Sequence, residues 1–311
     1  MNVNESLAPI ALFVYNRPEH TLQTLQALEY NDLAKESILY VFCDGPKFGA
    51  GEKELKAIQE TRNIVKSKSW CGRTIIKESE ENMGLANSII EGVTKTVNQH
   101  GKIIVLEDDI VTSRGFLNYM NEALEKYNNN ISCMSINAYL PPFKNKGDKA
   151  FFIENGTSTW GWGTWKRAWK YFNSDANYLL RRLKSLPSSE LKRFNWHNSY
   201  NYFKMLNDFI NGKNNSWGIR WYTSVFLKNG FGLFPPYSFV QNIGHDGSGE
   251  HCGETNLFHH KELKLHNVVL PPAIGIANNI KMHNKFISYN KSLRPNLIKR
   301  LVLRILNKHG K

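Results

Sequence analysis

Three consecutive carboxylates, Glu107-Asp108-Asp109, close a short apolar run from Ile103 to Leu106. A strand ending there sends successive side chains in alternating directions at one rim of a sheet. Hard divalent cations such as Mn²⁺ and Mg²⁺ take oxygen ligands, commonly one or two carboxylates completed by the phosphates of a substrate. An isolated Glu-Asp-Asp is also an ordinary acidic turn, so its meaning depends on what shares the rim. Asp44 closes a second apolar run and has the chemistry to accept hydrogen bonds from a uracil imide or a ribose hydroxyl. Arg17, just after a third, suits phosphate. Taken singly, Asp44-Gly45-Pro46 is good turn chemistry and Arg17 a solvated helix start.

The elements that must position these groups alternate. Leu7 to Tyr15, Ile38 to Cys43, Arg73 to Lys77 and Lys102 to Leu106 read as strands, each short, rich in β-branched or aromatic residues and bounded by Gly, Asn or Asp. Between them lie helical patterns. In the first, Asn16 is the expected cap, Pro18 occupies the first turn, and Leu22, Leu25 and Leu28 form one stripe. Another spaces Leu85, Ile89, Val93 and Val97 four apart. Such alternation predicts right-handed crossovers and a mostly parallel sheet, which binds ligands beyond the carboxyl ends of its strands. All four polar strand ends, including Glu80-Glu81-Asn82, then fall on one rim. The second half is richer in Trp, Tyr, Phe and Asn. Strands are expected at Cys133 to Ala138 and Ala150 to Ile153, and helices near 164 to 173 and 189 to 210, extending the same sheet toward an acceptor side.

The chain has 311 residues, 41% of them hydrophobic and 22% charged, which is the composition of a globular protein and excludes disorder and collagen-like repeats. Its net charge of +13 is unevenly placed. No acidic residue follows Glu262, and nine Lys or Arg lie between Lys281 and Lys311, leaving +4 on residues 1 to 280. No nucleic-acid recognition motif accompanies that basic tail, so no nucleic-acid partner is expected. Four scattered cysteines make no disulfide framework and no zinc spacing, and no apolar stretch suits a signal core or a membrane span. A cytoplasmic protein is the expectation. The first strand is followed by Asn-Arg-Pro-Glu, so neither a GxGxxG nor a Walker loop is present. Phosphates must be met by metal and side chains.

Ala8-Pro9-Ile10-Ala11-Leu12-Phe13-Val14-Tyr15-Asn16-Arg17-Pro18, Asp44-Gly45, Asn82-Met83-Gly84-Leu85 and Leu106-Glu107-Asp108-Asp109 together resemble the donor half of GT-A glycosyltransferases, in particular bacterial sugar transferases similar to N-acetylglucosaminyltransferase I. Trp160-Gly161-Trp162-Gly163-Thr164-Trp165, Ser216-Trp217-Gly218-Ile219-Arg220-Trp221 and Asn242 to Gly249 resemble later segments of that group. The likeness runs from about residue 8 to 255. It implies a Rossmann-like α/β fold and transfer of a sugar, with inversion, from a nucleotide diphosphate sugar to a glycan or lipid-linked acceptor in bacterial surface polysaccharide or lipopolysaccharide assembly. By the same resemblance Arg17, Asp44, Asn82, Gly84, Leu85 and Asp108 contact or border the donor. Asp109 holds Mn²⁺ or Mg²⁺, with His251 or His245 as a further metal or pyrophosphate ligand.

An inverting transfer needs a base for the acceptor hydroxyl. Relatives carry Asp immediately before Ser-Trp, where this chain has Asn215, and an amide is no base. Asp246 and Asp208 are the replacements in view, and a non-catalytic nucleotide-sugar or glycan binder on the same fold is the alternative reading. Trp160 and Trp162, in a Gly-rich turn, and Trp217 are the candidates for acceptor contact, against a packing role for most of the tryptophans. The expected organisation is a transferase domain over 1–262, divided into a donor half (about 1–130) and an acceptor half (about 131–262), and a basic extension over 263–311. Within the extension Leu297, Ile298, Leu301, Val302, Ile305 and Leu306 keep helical spacing among Lys and Arg. A helix of that kind suits peripheral contact with an anionic membrane surface.

Overall fold

The computed structural model describes residues 4, 6–247, 255, 257–260, 263 and 268–293. His251 and the helix expected over 297–306 lie outside the described residues. The first half runs β1 (Ile10–Val14), α1 (Pro18–Glu29), β2 (Ile38–Cys43), α2 (Glu52–Lys66), β3 (Arg73–Glu78), α3 (Leu85–His100), β4 (Lys102–Glu107), β5 (Ile110–Thr112) and α4 (Phe116–Lys126). The second runs β6 (Cys133–Asn137), β7 (Phe151–Glu154), β8 (Trp162–Trp165), α5 (Lys166–Trp169), α6 (Ala176–Lys184), α7 (Ser188–Phe194), α8 (Tyr202–Ile210), α9 (Trp217–Leu227), β9 (Phe231–Phe234), β10 (Val240–Asn242) and α10 (Ile280–Ser292).

Eight strands form one sheet in the order β3-β2-β1-β4-β8-β6-β9-β7. The four from the first half are parallel, as the crossovers require, and β1 and β4 are buried along nearly their whole length between helical layers. From β4 outward the sheet becomes mixed. β8 pairs antiparallel with β4, setting Val105 opposite Trp162, and with β6 on its other side. The second half thus extends the first half's sheet, and a continuous apolar core joins the two.

Local expectations fail in three places. Asn16 does not cap α1: Arg17 occupies the cap with no side-chain bond, and Pro18, whose fixed φ and missing N–H suit the first turn, is the start signal. The helix expected over 164 to 173 shrinks to the four residues of α5, because Trp162 to Trp165 are drawn into the sheet as β8. The helix expected over 189 to 210 is two. Trp196, His197 and Asn198 all take positive φ between α7 and α8, a turn that a periodicity argument does not register.

A two-stranded ribbon, β5 with β10, decides where the site forms. Asn242 lies opposite Ile110, so the segment after β10 passes directly over the carboxylates that precede β5. Gly161 makes the approach to β8 possible. Its φ is +62°, and a Cβ there would meet Val240 of β10 at 2.8 Å.

Candidate active site

The rim predicted from the strand ends exists. Asp44 accepts hydrogen bonds from the backbone N–H groups of Gly45 (2.9 Å), Met83 (2.8 Å) and Gly84 (2.9 Å) and from the Asn82 side-chain amide (3.1 Å). Four bonds fill the acceptor sites that face its neighbours, so Asp44 ties the end of β2 to the loop that starts α3. The expected contact with a base or ribose would have to be made by a carboxylate already holding these four bonds. Asn82, which also donates to the Gly45 carbonyl at 3.0 Å, shares in tying β2 to that loop. Gly84 is the residue before α3, and Leu85 at its first position is 46% exposed, so the stripe that packs begins at Ile89.

The end of β4 carries the charge. Arg17 reaches Asp109 Oδ2 at 2.9 Å, Asp108 at 3.6 Å and Asp246 at 3.9 Å. Its guanidinium, expected on phosphate, is held among carboxylates here. Burial, then the neighbouring Asp109, pushes the Asp108 carboxyl up to about 7, against the lowering pull of Arg17. Burial and the two aspartates raise Glu107 well above the ordinary range, while the Trp217 indole, donating to it, acts in the opposite sense. A cluster this crowded calls for more positive charge than one arginine.

The segment after β10 closes over it. Ile243 donates its N–H to the Asp109 carbonyl at 2.9 Å, and a Cβ on Gly244 would fall 2.1 Å from Asp109 Oδ2. Only a glycine lets the backbone pass this close. His245 follows, packed edge-on to Trp160 with ring centroids 5.3 Å apart and beside Phe258 at 5.1 Å. Asp246 comes next, with His20 Nε2 3.0 Å from its carboxylate. His20 was not among the sequence candidates. Its signal was available, since it sits three residues after Arg17 and therefore on the same face of α1.

The remaining candidates divide. Trp160 is partly buried beside His245 and belongs to the site. Trp162 does not reach it: the side chain is fully buried, stacked on Trp217 at 5.2 Å and packed near Trp169 and Trp221. Trp217 is 4% exposed and meets Glu107 from below. Trp162 is buried because the Gly-rich turn leads into strand β8, whose inward positions the core fills, and Trp217 because it opens α9 on the face that packs against it. Asp208, on α8, pairs with Lys204, and no contact among the described residues joins it to the rim. Asn215 is exposed just ahead of Ser216, which caps α9 by accepting from the Ile219 N–H. Of the two carboxylates considered as base, Asp246 is the one brought to the cluster.

Metal fits this donor set. Asp109 Oδ1 and both ring nitrogens of His245 are buried without a hydrogen-bond partner, which is costly for polar atoms that nothing coordinates. Among the described residues no three His, Cys, Asp or Glu side chains converge as a ready-made metal cage. One or two protein ligands completed by phosphate oxygens is the arrangement hard divalent cations commonly use.

A parallel β3-β2-β1-β4 block, an antiparallel β8 alongside it and adjacent carboxylates at the end of β4 decide the architecture. The fold is a mixed α/β sheet flanked by helices, parallel in its first half, as the sequence predicts. No family model matches the sequence, and no curated protein matches it. Among solved structures, S. aureus TarS 1-349 is similar with a TM-score of 0.41 and 10% identity, over 75% of this chain and 59% of that one. Mannosyltransferase PcManGT from Pyrobaculum calidifontis, in complex with GDP-Man and Mn²⁺, is similar with a TM-score of 0.42 and 9% identity, over 73% and 72%. TarS 1-349 in complex with UDP-GlcNAc gives 0.39 and 10%, over 75% and 57%. The chain thus spans under two thirds of the TarS pieces it resembles. The carboxylate rim and the Gly244 crossing lie at the carboxyl end of β4, the edge where parallel α/β sheets bind ligands.

Proposed function

We propose that the protein is a metal-dependent glycosyltransferase that moves a sugar, with inversion, from a nucleotide diphosphate sugar to a glycan or lipid-linked glycan acceptor. The observation that carries this is an Asp109 oxygen buried without a hydrogen-bond partner where Gly244 crosses it, with the unpartnered ring of His245 on the next residue, on the rim where α/β sheets bind their ligands. A Mn²⁺ or Mg²⁺ ion held by Asp109 and His245 would supply charge stabilisation for the leaving diphosphate. Asp44 and Asn82 hold the loop before α3 in shape, and Arg17 keeps Asp109 oriented. Asp246, steadied by His20, is the carboxylate that takes the acceptor proton, since Asn215 has none to offer. Trp160 presents an aromatic edge beside the site for the sugar. Bacterial surface polysaccharide or lipopolysaccharide assembly is the setting the sequence resemblance implies.

Titrating nucleotide sugars with and without Mn²⁺ tests the proposal. One of them binds the wild-type chain in a Mn²⁺-dependent way, and Asp109→Asn weakens that binding by at least about a hundredfold, as loss of a charged metal ligand should. Unchanged binding removes Asp109 from the site. Asn215 favours a second reading, a binder without turnover. In the transferase reading, Asp246→Asn keeps donor binding and loses transfer by about a hundredfold or more. Donor binding with neither hydrolysis nor transfer across acceptors supports the binder.

No helix among the described residues is long and apolar enough to cross a membrane. Peripheral contact rests on the basic run after Lys281. It predicts co-sedimentation with anionic vesicles that is lost in high salt and absent with neutral ones.

A further inference from the structure

Arg220, on α9, is 6% exposed. A guanidinium keeps its proton, and burying it is unfavourable unless an anion or a full set of acceptors replaces water. Burial accordingly pushes this group below its ordinary range. Other partly buried arginines have short contacts to acceptors: Arg17 reaches Asp109 at 2.9 Å and Arg62 the Ser79 carbonyl at 2.7 Å, although the Nε of each is also without a partner. Arg167 donates from three nitrogens to the carbonyls of Asn128, Cys133 and Tyr127, and Arg193 pairs with Glu154 and Glu190. Arg220 has no such set. Its nearest acceptor is the Ser174 carbonyl, 3.5 Å from Nη1 and beyond ordinary N–H···O distance, and its Nε is buried without a partner. Among the described residues no carboxylate pairs with it.

The surroundings are built to hold a planar cation. The guanidinium carbon lies 4.5 Å from the Phe209 ring centroid and 6.0 Å from that of Phe172, so aromatic faces replace part of the lost hydration. The Ser224 hydroxyl accepts from the Asn173 N–H at 3.1 Å and donates to the Arg220 carbonyl at 2.8 Å, locking the 172–174 segment to α9. Ser174, whose carbonyl lies 3.5 Å from Arg220 Nη1, is exposed. Trp217, which reaches Glu107 from the same helix, lies three residues earlier, about 4.5 Å along the axis and on the same side.

We propose that Arg220 anchors an oxyanion, a phosphate or a carboxylate, carried by the acceptor. Its place on the acceptor half rests on the transferase reading; its affinity for an oxyanion does not. A charged acceptor is then held at Arg220 while its hydroxyl extends toward the carboxylate rim, and neutral acceptors lose that anchor.

The test is the Nε–Hε resonance of Arg220 in the full chain, assigned by its loss in Arg220→Lys and, should that variant not fold, by contacts to the Phe209 ring in the wild type. Inorganic phosphate and acetate are titrated separately. The expected result is a saturable shift of the Arg220 signal at a concentration at least about tenfold below that moving any other arginine, as a charge-assisted fork contact requires. A response to phosphate alone assigns a phosphorylated acceptor, and a response to acetate a carboxylate-bearing one. No shift with either ion, or a shift shared by all arginines, overturns the proposal. Mn²⁺-dependent donor binding, measured on the same sample, separates the two readings. Its absence sinks the transferase while leaving the Arg220 site standing, and its presence with a silent Arg220 sinks only the anchor.

Discussion

Two aspartates, at the ends of the strands that flank β1, sit in opposite surroundings. Asp44 spends its acceptors on three backbone N–H groups and an amide. Asp44→Ala strands those donors, and urea denaturation should show a loss of about 2–3 kcal/mol, the cost of removing charge-assisted bonds and leaving partners unsatisfied. A loss below about 0.5 kcal/mol, ordinary for a surface change, would mean that water replaces the carboxylate. Asp108 is instead buried beside Asp109, and its carboxyl is pushed up from 3.8 to about 7 despite Arg17 and backbone hydrogen bonds. Between those values the folded protein holds a proton that the unfolded chain has released, so stability without divalent cation falls as pH rises through the window. Thermal melts in EDTA should show a falling Tm from pH 5 to pH 7.5, with a shallower slope in Asp108→Asn. Parallel slopes in the two proteins would assign the effect elsewhere.

Among the elements, the β5–β10 ribbon matters more than its size suggests. It is three residues long on each side, yet it lays Gly244, His245 and Asp246 over the carboxylates. Gly244→Ala places a methyl 2.1 Å from Asp109 Oδ2 and 2.9 Å from Arg17, in a segment outside the main core. Mn²⁺-dependent donor binding should weaken by at least about tenfold in protein that is still folded, with a stability loss of about 1–3 kcal/mol, the usual range for overpacking. Binding lost only in proportion to the unfolded fraction would show the loop to be structural. The Gly-rich turn before β8 has the opposite character. Trp162→Ala should cost about 3–5 kcal/mol, the range for emptying a fully buried aromatic site, whereas a solvent-facing acceptor platform would lose affinity and little stability.

For the whole molecule, the sheet that runs without interruption from β3 to β7 makes the two halves one folding unit. β8 supplies β4 with its second neighbour, and the main core draws on residues from Ala8 to Leu270. Seven of the eight tryptophans lie after residue 130, so fluorescence follows the second half while far-ultraviolet circular dichroism follows both. The two signals should share one unfolding midpoint; separate midpoints would mean that the halves fold independently.

Strand and helix alternation over the first 107 residues was readable from periodicity, because apolar spacing of two or about four follows from burying one face of each element. The gathering of Arg17, Asp44, Asn82 and Asp108–Asp109 at one rim was readable for the same reason, since parallel strands with helical crossovers must all end on one side. What those residues do once gathered was not. Asp44 caps a loop because the N–H groups of Met83 and Gly84, 39 and 40 positions away, fold onto it. Asp246 joins the cluster and Asp208 does not, because β10 pairs with β5 while α8 packs on the far helices. Trp160 lines the site and Trp162 is core, because β8 enters the sheet. A residue's type limits the chemistry it can perform, and local periodicity sets its element. Which atoms remain without partners depends on contacts between distant segments, and those exist only once the chain has closed on itself.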